Sequence, residues 1–161
     1  MDKAEQTALT PANANPWYVL MTLYGDQDGE EVDWELHEKN RALWNAWACQ
    51  SMSGEERVKA AEKSKVTILE LEVWPGKKDE VGRLHEVEMV RRNGEGFVYP
   101  GVPDVTARVE LARVAFSHDL VLSDAVFGRD VDFSFANFGG VAWFGSTTFG
   151  GRAIAFGLGV C

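Results

Sequence analysis

A large apolar residue returns at Leu111, Phe116, Leu122, Phe127, Phe133, Phe138, Phe144 and Phe149. The steps alternate between five and six, so the underlying period is eleven. Two positions before each large residue stands a second set, Val109, Val114, Leu120, Ala125, Val131, Ala136, Ala142 and Thr147, all small or apolar. Steps of five and six turn successive phenylalanines by about 140° and 240° on an α-helix, so no continuous stripe results. The segment also carries Gly128, Gly139, Gly140, Gly145, Gly150 and Gly151, each costing about 1 kcal/mol in a helix interior relative to alanine. An eleven-residue helical coiled coil is therefore excluded.

Strands explain the spacing. Residues two apart on a strand point to the same side. Val131 with Phe133, or Ala136 with Phe138, would face inward while Asp132 and Asn137 face outward. Short strands joined by bends coil the chain, and successive turns stack through backbone hydrogen bonds about 4.8 Å apart. One small and one large residue per face then fill the interior of a β-solenoid. The glycines are expected at the corners, where a positive φ is tolerated.

VDFSF and ANFGG, residues 131–140, follow the order small residue, Asp or Asn, Leu or Phe, then two freer residues. The tail thereby resembles the pentapeptide-repeat family, and its spacing resembles the subgroup with an extra residue after every second unit. TTFGG departs at the Asp/Asn position, and VAWFG is read with Ala142-Trp143-Phe144 as its unit. The resemblance covers Val109 to Phe156. It implies a short right-handed parallel β-helix with about two coils of roughly 22 residues. Its core would be the eight large residues from Leu111 to Phe149. Asp132, Asn137, Trp143 and Thr148 would be its outward contact residues. After Phe149 the register breaks, because position 155 is Ala155 and the phenylalanine is Phe156. The C-terminal end is thus expected to lack a cap. Homodimerisation through that end and truncation of a longer array both fit.

The front of the chain reads differently. Residues 1–15 are small and polar and are expected to form a flexible lead-in. Residues 16–104 are expected to form a small acidic α+β domain. Pro16–Gly25 is an apolar run ending in a Gly/Asp/Gln cluster; it favours a buried strand, and its lack of a period leaves a short helix open. Asp33–Met52 predicts a helix with Asp33 as N-cap and Leu36, Leu43 and Trp47 on one face. Ser53 and Glu56 form a capping-box pattern that opens a second helix. Thr67–Trp74 alternates apolar and acidic residues and predicts a half-buried strand stopped by Pro75-Gly76. Residues 77–92 carry a weak helical pattern. Asn93–Asp104, rich in Gly and Pro, is the expected junction. The repeat region, 105–161, follows, and the front domain is expected to cap its first coil.

The net charge is −9. Residues 111–161 hold three arginines against four aspartates, so −8 of it lies in residues 1–110. That balance opposes direct nucleic-acid binding. No secretory signal or apolar run of about 20 residues occurs, which implies a cytoplasmic protein with no membrane contact. Cys49 and Cys161 are too few for a disulfide framework or a cysteine zinc site. His37, His85 and His118 show no metal-ligand spacing and are expected on the surface or in packing roles. No P-loop or nucleophile elbow is present, and no cofactor is implied. Trp44 and Trp47 belong to the helix core, while Trp34 is the candidate for exposure. A non-catalytic interaction or scaffold module with a protein partner is the function these features favour. The resemblance also implies an alternative, a DNA mimic that modulates a topoisomerase, which would require a long acidic solenoid.

Overall fold

The computed structural model describes residues 8–155, 157, 159 and 160. Phe156 and Cys161 lie outside the described residues, as do positions 1–7 of the expected lead-in. The chain is α+β, with helices in front and short strands behind.

Helix α1 spans Pro16–Met21. It replaces the strand expected over residues 16–25. Asn15 caps it by accepting from Tyr18 N–H, and Pro16 has the φ that a first helical turn requires. Tyr18, Val19, Leu20 and Met21 are all buried. A run apolar on every side has no period, so the pattern could not separate helix from strand. Helix α2, Trp34–Ala48, starts as expected with Asp33 accepting from Leu36 N–H, and it ends before the expected limit at residue 52. Helix α3, Gly54–Ser64, carries both bonds of the Ser53/Glu56 capping box.

The strand expected at Thr67–Trp74 is also a helix. Helix α4, Ile68–Glu72, is capped by the Thr67 hydroxyl, and α5 runs from Trp74 to Asn93. Leu71 is fully buried while Leu69 is 67% exposed. A strand would have put both on one face, whereas a helix turns them about 200° apart. Pro75, expected to stop a strand, lies in the first turn of α5, where its missing N–H costs nothing. Residues 16–104 are therefore helical rather than α+β by themselves.

Residues 10–15, expected as part of a flexible lead-in, are held in place. Strand β1, Thr10–Pro11, lies parallel to β3, Val114–Phe116, with Thr10 N–H donating to Arg113 O at 2.8 Å. Pro11 is tolerated because β1 is an edge strand. Order here comes from a distant partner, which small polar residues do not announce.

The remaining strands are β2 (Val109–Glu110), β4 (Leu120–Val121), β5 (Val126–Phe127), β6 (Val131–Asp132), β7 (Asn137–Phe138), β8 (Ala142–Trp143), β9 (Thr148–Phe149), β10 (Ala153–Ile154) and β11 (Gly159–Val160). They form four small parallel sheets, ordered β1-β3-β7-β11, β10-β6-β2, β4-β8 and β5-β9. The pairs Val109↔Val131, Leu120↔Ala142, Val126↔Thr148 and Val131↔Ala153 all join residues two eleven-residue periods apart. The backbone register continues through β10 and β11 although the side-chain pattern stops after Phe149.

Leu111, Phe116, Leu122, Phe127, Phe133 and Phe138 are buried. Phe116 stacks on Phe138 at 5.1 Å and Phe127 on Phe149 at 5.3 Å. These rows join Tyr18, Trp44, Trp47 and Val81 in a single core that spans both halves of the chain. The loop over residues 94–104 thus connects two halves of one core.

The corners differ from expectation. Turns close between Leu111 and Val114, Leu122 and Ala125, Phe133 and Ala136, and Phe144 and Thr147. Their third residues, Arg113, Asp124, Phe135 and Ser146, have φ of 58°, 62°, 59° and 56°. The left-handed position falls at the same eleven-residue interval but on non-glycine residues. The glycine pairs answer a different need, close approach between layers. A Cβ at Gly139 would lie 2.7 Å from Phe116 O, and one at Gly151 2.6 Å from Asp130 N.

Candidate interaction surface

The layered strands have two ends, and they differ. At the first end the outward backbone groups would be unpaired, a state that invites association. The front half of the chain occupies them with side chains. Consecutive residues of α2 meet Val126: Asn45 Oδ1 accepts from its N–H at 2.8 Å, and Trp44 Nε1–H donates to its C=O at 2.9 Å. Asn45 Nδ2 also donates to Asp124 O at 3.2 Å. Asn15 Nδ2 donates to Glu110 O at 2.8 Å, while the Ser64 hydroxyl, 3.3 Å from Ala125 O, joins a carbonyl that already accepts from Thr148 N–H of the next layer. With β1 on β3 and a Gln27–Asp119 bridge beside β4, this edge is closed.

At the other end, no described strand pairs with the free side of β8 or β9. Backbone groups alternate in direction along a parallel strand. Leu120 and Leu122 N–H donate to the carbonyls of Val141 and Trp143, which leaves the N–H and C=O of Ala142 facing the free side. Phe149, between Thr148 and Gly150, faces it likewise. Phe144, one of the expected inward residues, is 40% exposed, against 2% for Leu122 in the layer beneath. It points into the stack, but among the described residues nothing lies above it. Phe149 is partly buried for the same reason.

The four outward candidates divide. Trp143 is exposed and meets Trp34 at 5.7 Å, nearly perpendicular. Asp132 is half-buried, with Oδ1 accepting from Ser134 N–H at 2.8 Å. Burial pushes its carboxyl up, but the Ser134 hydrogen bonds together with Arg108 and Arg113 outweigh this and hold it below the usual range. Asn137 is half-buried. Thr148 is a correction. It is 6% exposed, and its hydroxyl lies 2.5 Å from that of Ser64. It does point out of the strand, but α3 covers that face, which the repeat itself could not reveal.

Two features were missed. Asn45 closes the first edge beside Trp44, and the only clue is a small polar residue amid apolar neighbours on a helix; Ser64, between Lys63 and Lys65, joins the first two layers and gives no such clue. Asp119 and Asp130, eleven residues apart, accept from Val141 N–H at 2.9 Å and Arg152 N–H at 2.7 Å. They bridge layers side chain to backbone, and their interval was readable within the repeat.

The buried histidines and cysteine are tied into the packing. Buried His37 has Nε2 2.6 Å from Ser123 O, and buried His85 bonds Pro16 O at 2.9 Å and the Tyr99 hydroxyl at 2.7 Å. Burial lowers the pKa of both. The buried Cys49 thiol is pushed up to about 12 by desolvation, which suppresses the reactive thiolate. Among the described residues no three His, Cys, Asp or Glu side chains converge as metal ligands. A groove of about 630 Å³ lies between α2, α4 and the start of α5, lined by Tyr24, Leu43, Leu69, Val73 and Lys77. Its carboxylate, Glu70, is taken by Arg41 at 2.9 Å and Asn45 at 2.7 Å. Among the described residues no helix is long and apolar enough to cross a membrane.

Comparison with protein-family models, with curated proteins and with solved structures finds no match to this chain.

Proposed function

We propose that this chain is a non-catalytic interaction or scaffold module, with residues 105–161 coiled as a short right-handed β-solenoid of the pentapeptide-repeat type. The observation that carries the reading is the constant parallel register of Val109↔Val131, Leu120↔Ala142 and Val126↔Thr148, repeated beneath a ladder of stacked phenylalanines. A stack of this kind is rigid because each layer is held by its neighbours. Rigid, patterned side faces suit recognition, since little conformational entropy is lost on binding.

The partner is another protein, and the free end additionally supports self-association. Ala142 and Phe149 offer backbone donors and acceptors there, beside the exposed Phe144. Light scattering on the purified chain tests this contact, and a strictly monomeric mass across the accessible concentration range overturns it. Capture of partners from the native lysate, followed by mass spectrometry, tests the interaction module. Reproducible capture of a defined protein supports it, and turnover of a small molecule by the purified chain would overturn it. The DNA-mimic alternative is disfavoured by the near-neutral repeat, with three arginines against four aspartates over residues 111–161. Inhibition of DNA supercoiling at stoichiometric protein would revive it.

A further inference from the structure

Two of the six tryptophans are exposed, and these two touch each other. Trp44 and Trp47 are 2% and 3% exposed, and Trp17 and Trp74 are partly buried, whereas Trp34 is 48% and Trp143 39% exposed. Trp34 opens α2, and Trp143 lies in β8. Their rings are 5.7 Å apart at 81°. Val141, two positions before Trp143 and so on the same side of the strand, is also exposed. The corner is braced from below. The ring of His37 lies 6.0 Å from Trp34 at 81°, and its Nε2 is held by Ser123 O. The rings are thus set in place before any partner arrives.

The segment that leads into Trp34 and through the first turn of α2 carries charge of one sign. From Asp26 to Glu38 the chain holds seven carboxylates and no lysine or arginine. Glu30, Glu31, Asp33, Glu35 and Glu38 are exposed. Glu38 lies one turn beyond Trp34 on the same face of α2. Lys39 pairs with Glu35 at 3.9 Å, while Glu30, Glu31 and Glu38 have no ion pair among the described residues. Two perpendicular indoles present electron-rich faces to a cation, and unpaired carboxylates draw it in.

Resting on the interaction reading above, we propose that Trp34 and Trp143 form the docking site for a cationic segment of a partner protein. An arginine of that segment seats its guanidinium in the corner between the rings, with flanking basic residues facing Glu30, Glu31 and Glu38. A second copy is not the occupant of this corner, because the acidic run from Asp26 to Glu38 would meet its own like-charged counterpart; the self-contact proposed at the free end is instead made by backbone groups and Phe144.

The probe is an octa-arginine peptide titrated against the full chain, read by calorimetry and tryptophan fluorescence at low and at about 150 mM ionic strength. The wild type binds at both. Trp34→Ala and Trp143→Ala each weaken binding about tenfold, the scale of a desolvated cation–π contact. Trp34→Phe retains part of the affinity. Val98→Ala, at an exposed position outside this surface, leaves it unchanged. Both tryptophans are exposed, and a thermal melt of each variant confirms an intact fold. Absence of binding overturns the assignment. So does binding that ignores both tryptophan variants, which is attraction by charge alone. A dimer lost in Trp143→Ala without arginine binding makes the corner a self-contact and also overturns it. None of these outcomes decides the interaction reading itself, which the lysate capture tests separately.

Discussion

Asn45→Ala removes the centre of the closed edge. Asn45 is fully buried, and its carboxamide makes three bonds: Oδ1 from Val126 N–H, Nδ2 to Asp124 O, and Nδ2 to the Glu70 carboxylate at 2.7 Å. The alanine leaves the Val126 N–H buried without an acceptor, since Val126 itself is 0% exposed. A buried donor so stranded costs about 1–3 kcal/mol. Losing the charge-assisted bond to Glu70 adds about 1–2 kcal/mol, reduced because Arg41 still holds that carboxylate at 2.9 Å. The sum is about 3 kcal/mol, a large share of the roughly 5–15 kcal/mol that stabilises a typical domain. Urea unfolding followed by tryptophan fluorescence reads it directly, because Trp44 bonds the same Val126. With a slope of about 1–3 kcal/mol per molar urea, the midpoint falls by roughly 1–3 M. Glu55→Ala is the control; Glu55 is exposed and only pairs loosely with Lys59 at 3.6 Å, a contact of at most about 0.5 kcal/mol. An Asn45→Ala midpoint within the error of that control would refute the idea that helix side chains substitute for a missing strand.

Other outcomes follow from the same geometry. Phe127→Ala should cost about 3–5 kcal/mol, since Phe127 is fully buried between Trp44 and Phe149. Phe144→Ala should cost less than half as much, and equal losses in urea midpoint would contradict the open end. Phe138→Asp should unfold the strands by burying a charge in the aromatic stack; unchanged circular dichroism would sink the inward assignment. Gly139→Ala should destabilise, because its Cβ meets Phe116 O at 2.7 Å, while Gly145→Ala, whose nearest neighbour is Ser123 Oγ at 3.8 Å, should be close to neutral. Both are read as thermal midpoints. His85 has its folded pKa lowered by burial from the ordinary 6.5. The unfolded chain then binds the proton first, so stability falls as the pH drops below about 6.5 and levels off once the folded pKa is passed. His37 acts in the same direction. Urea midpoints measured between neutral and mildly acidic pH check this, and a flat profile in both wild type and His85→Gln would refute it.

Local chemistry was legible where it repeats or where it caps. The five–six spacing located six buried core residues and placed Phe144 and Phe149 at the same register, although the missing layer above leaves them less covered. Asp33 and the Ser53/Glu56 box marked helix starts that form as read. Two apolar stretches, at 16–25 and 67–74, favour strands by pattern, the first with a short helix left open, and the chain forms helices there at Pro16–Met21 and Ile68–Glu72. A short apolar run encodes burial without specifying the backbone conformation, and Asn15 and Thr67 decided it as caps that went unrecognised.

What the sequence alone determined is thus the repeating part of the molecule: its period, its inward set, and the strand character that an eleven-residue step with glycines requires. Each unit repeats the strand-and-turn geometry of the last, so one rule written in the chain recurs along it, even where the final layer is left uncovered. Tertiary structure decided everything that joins unlike parts. Asn45 reaching Val126, α3 covering Thr148, and Trp34 meeting Trp143 each unite residues with no shared local pattern. Their positions depend on how the helices dock against the strands, a geometry set by packing of the common core rather than by any neighbouring residues.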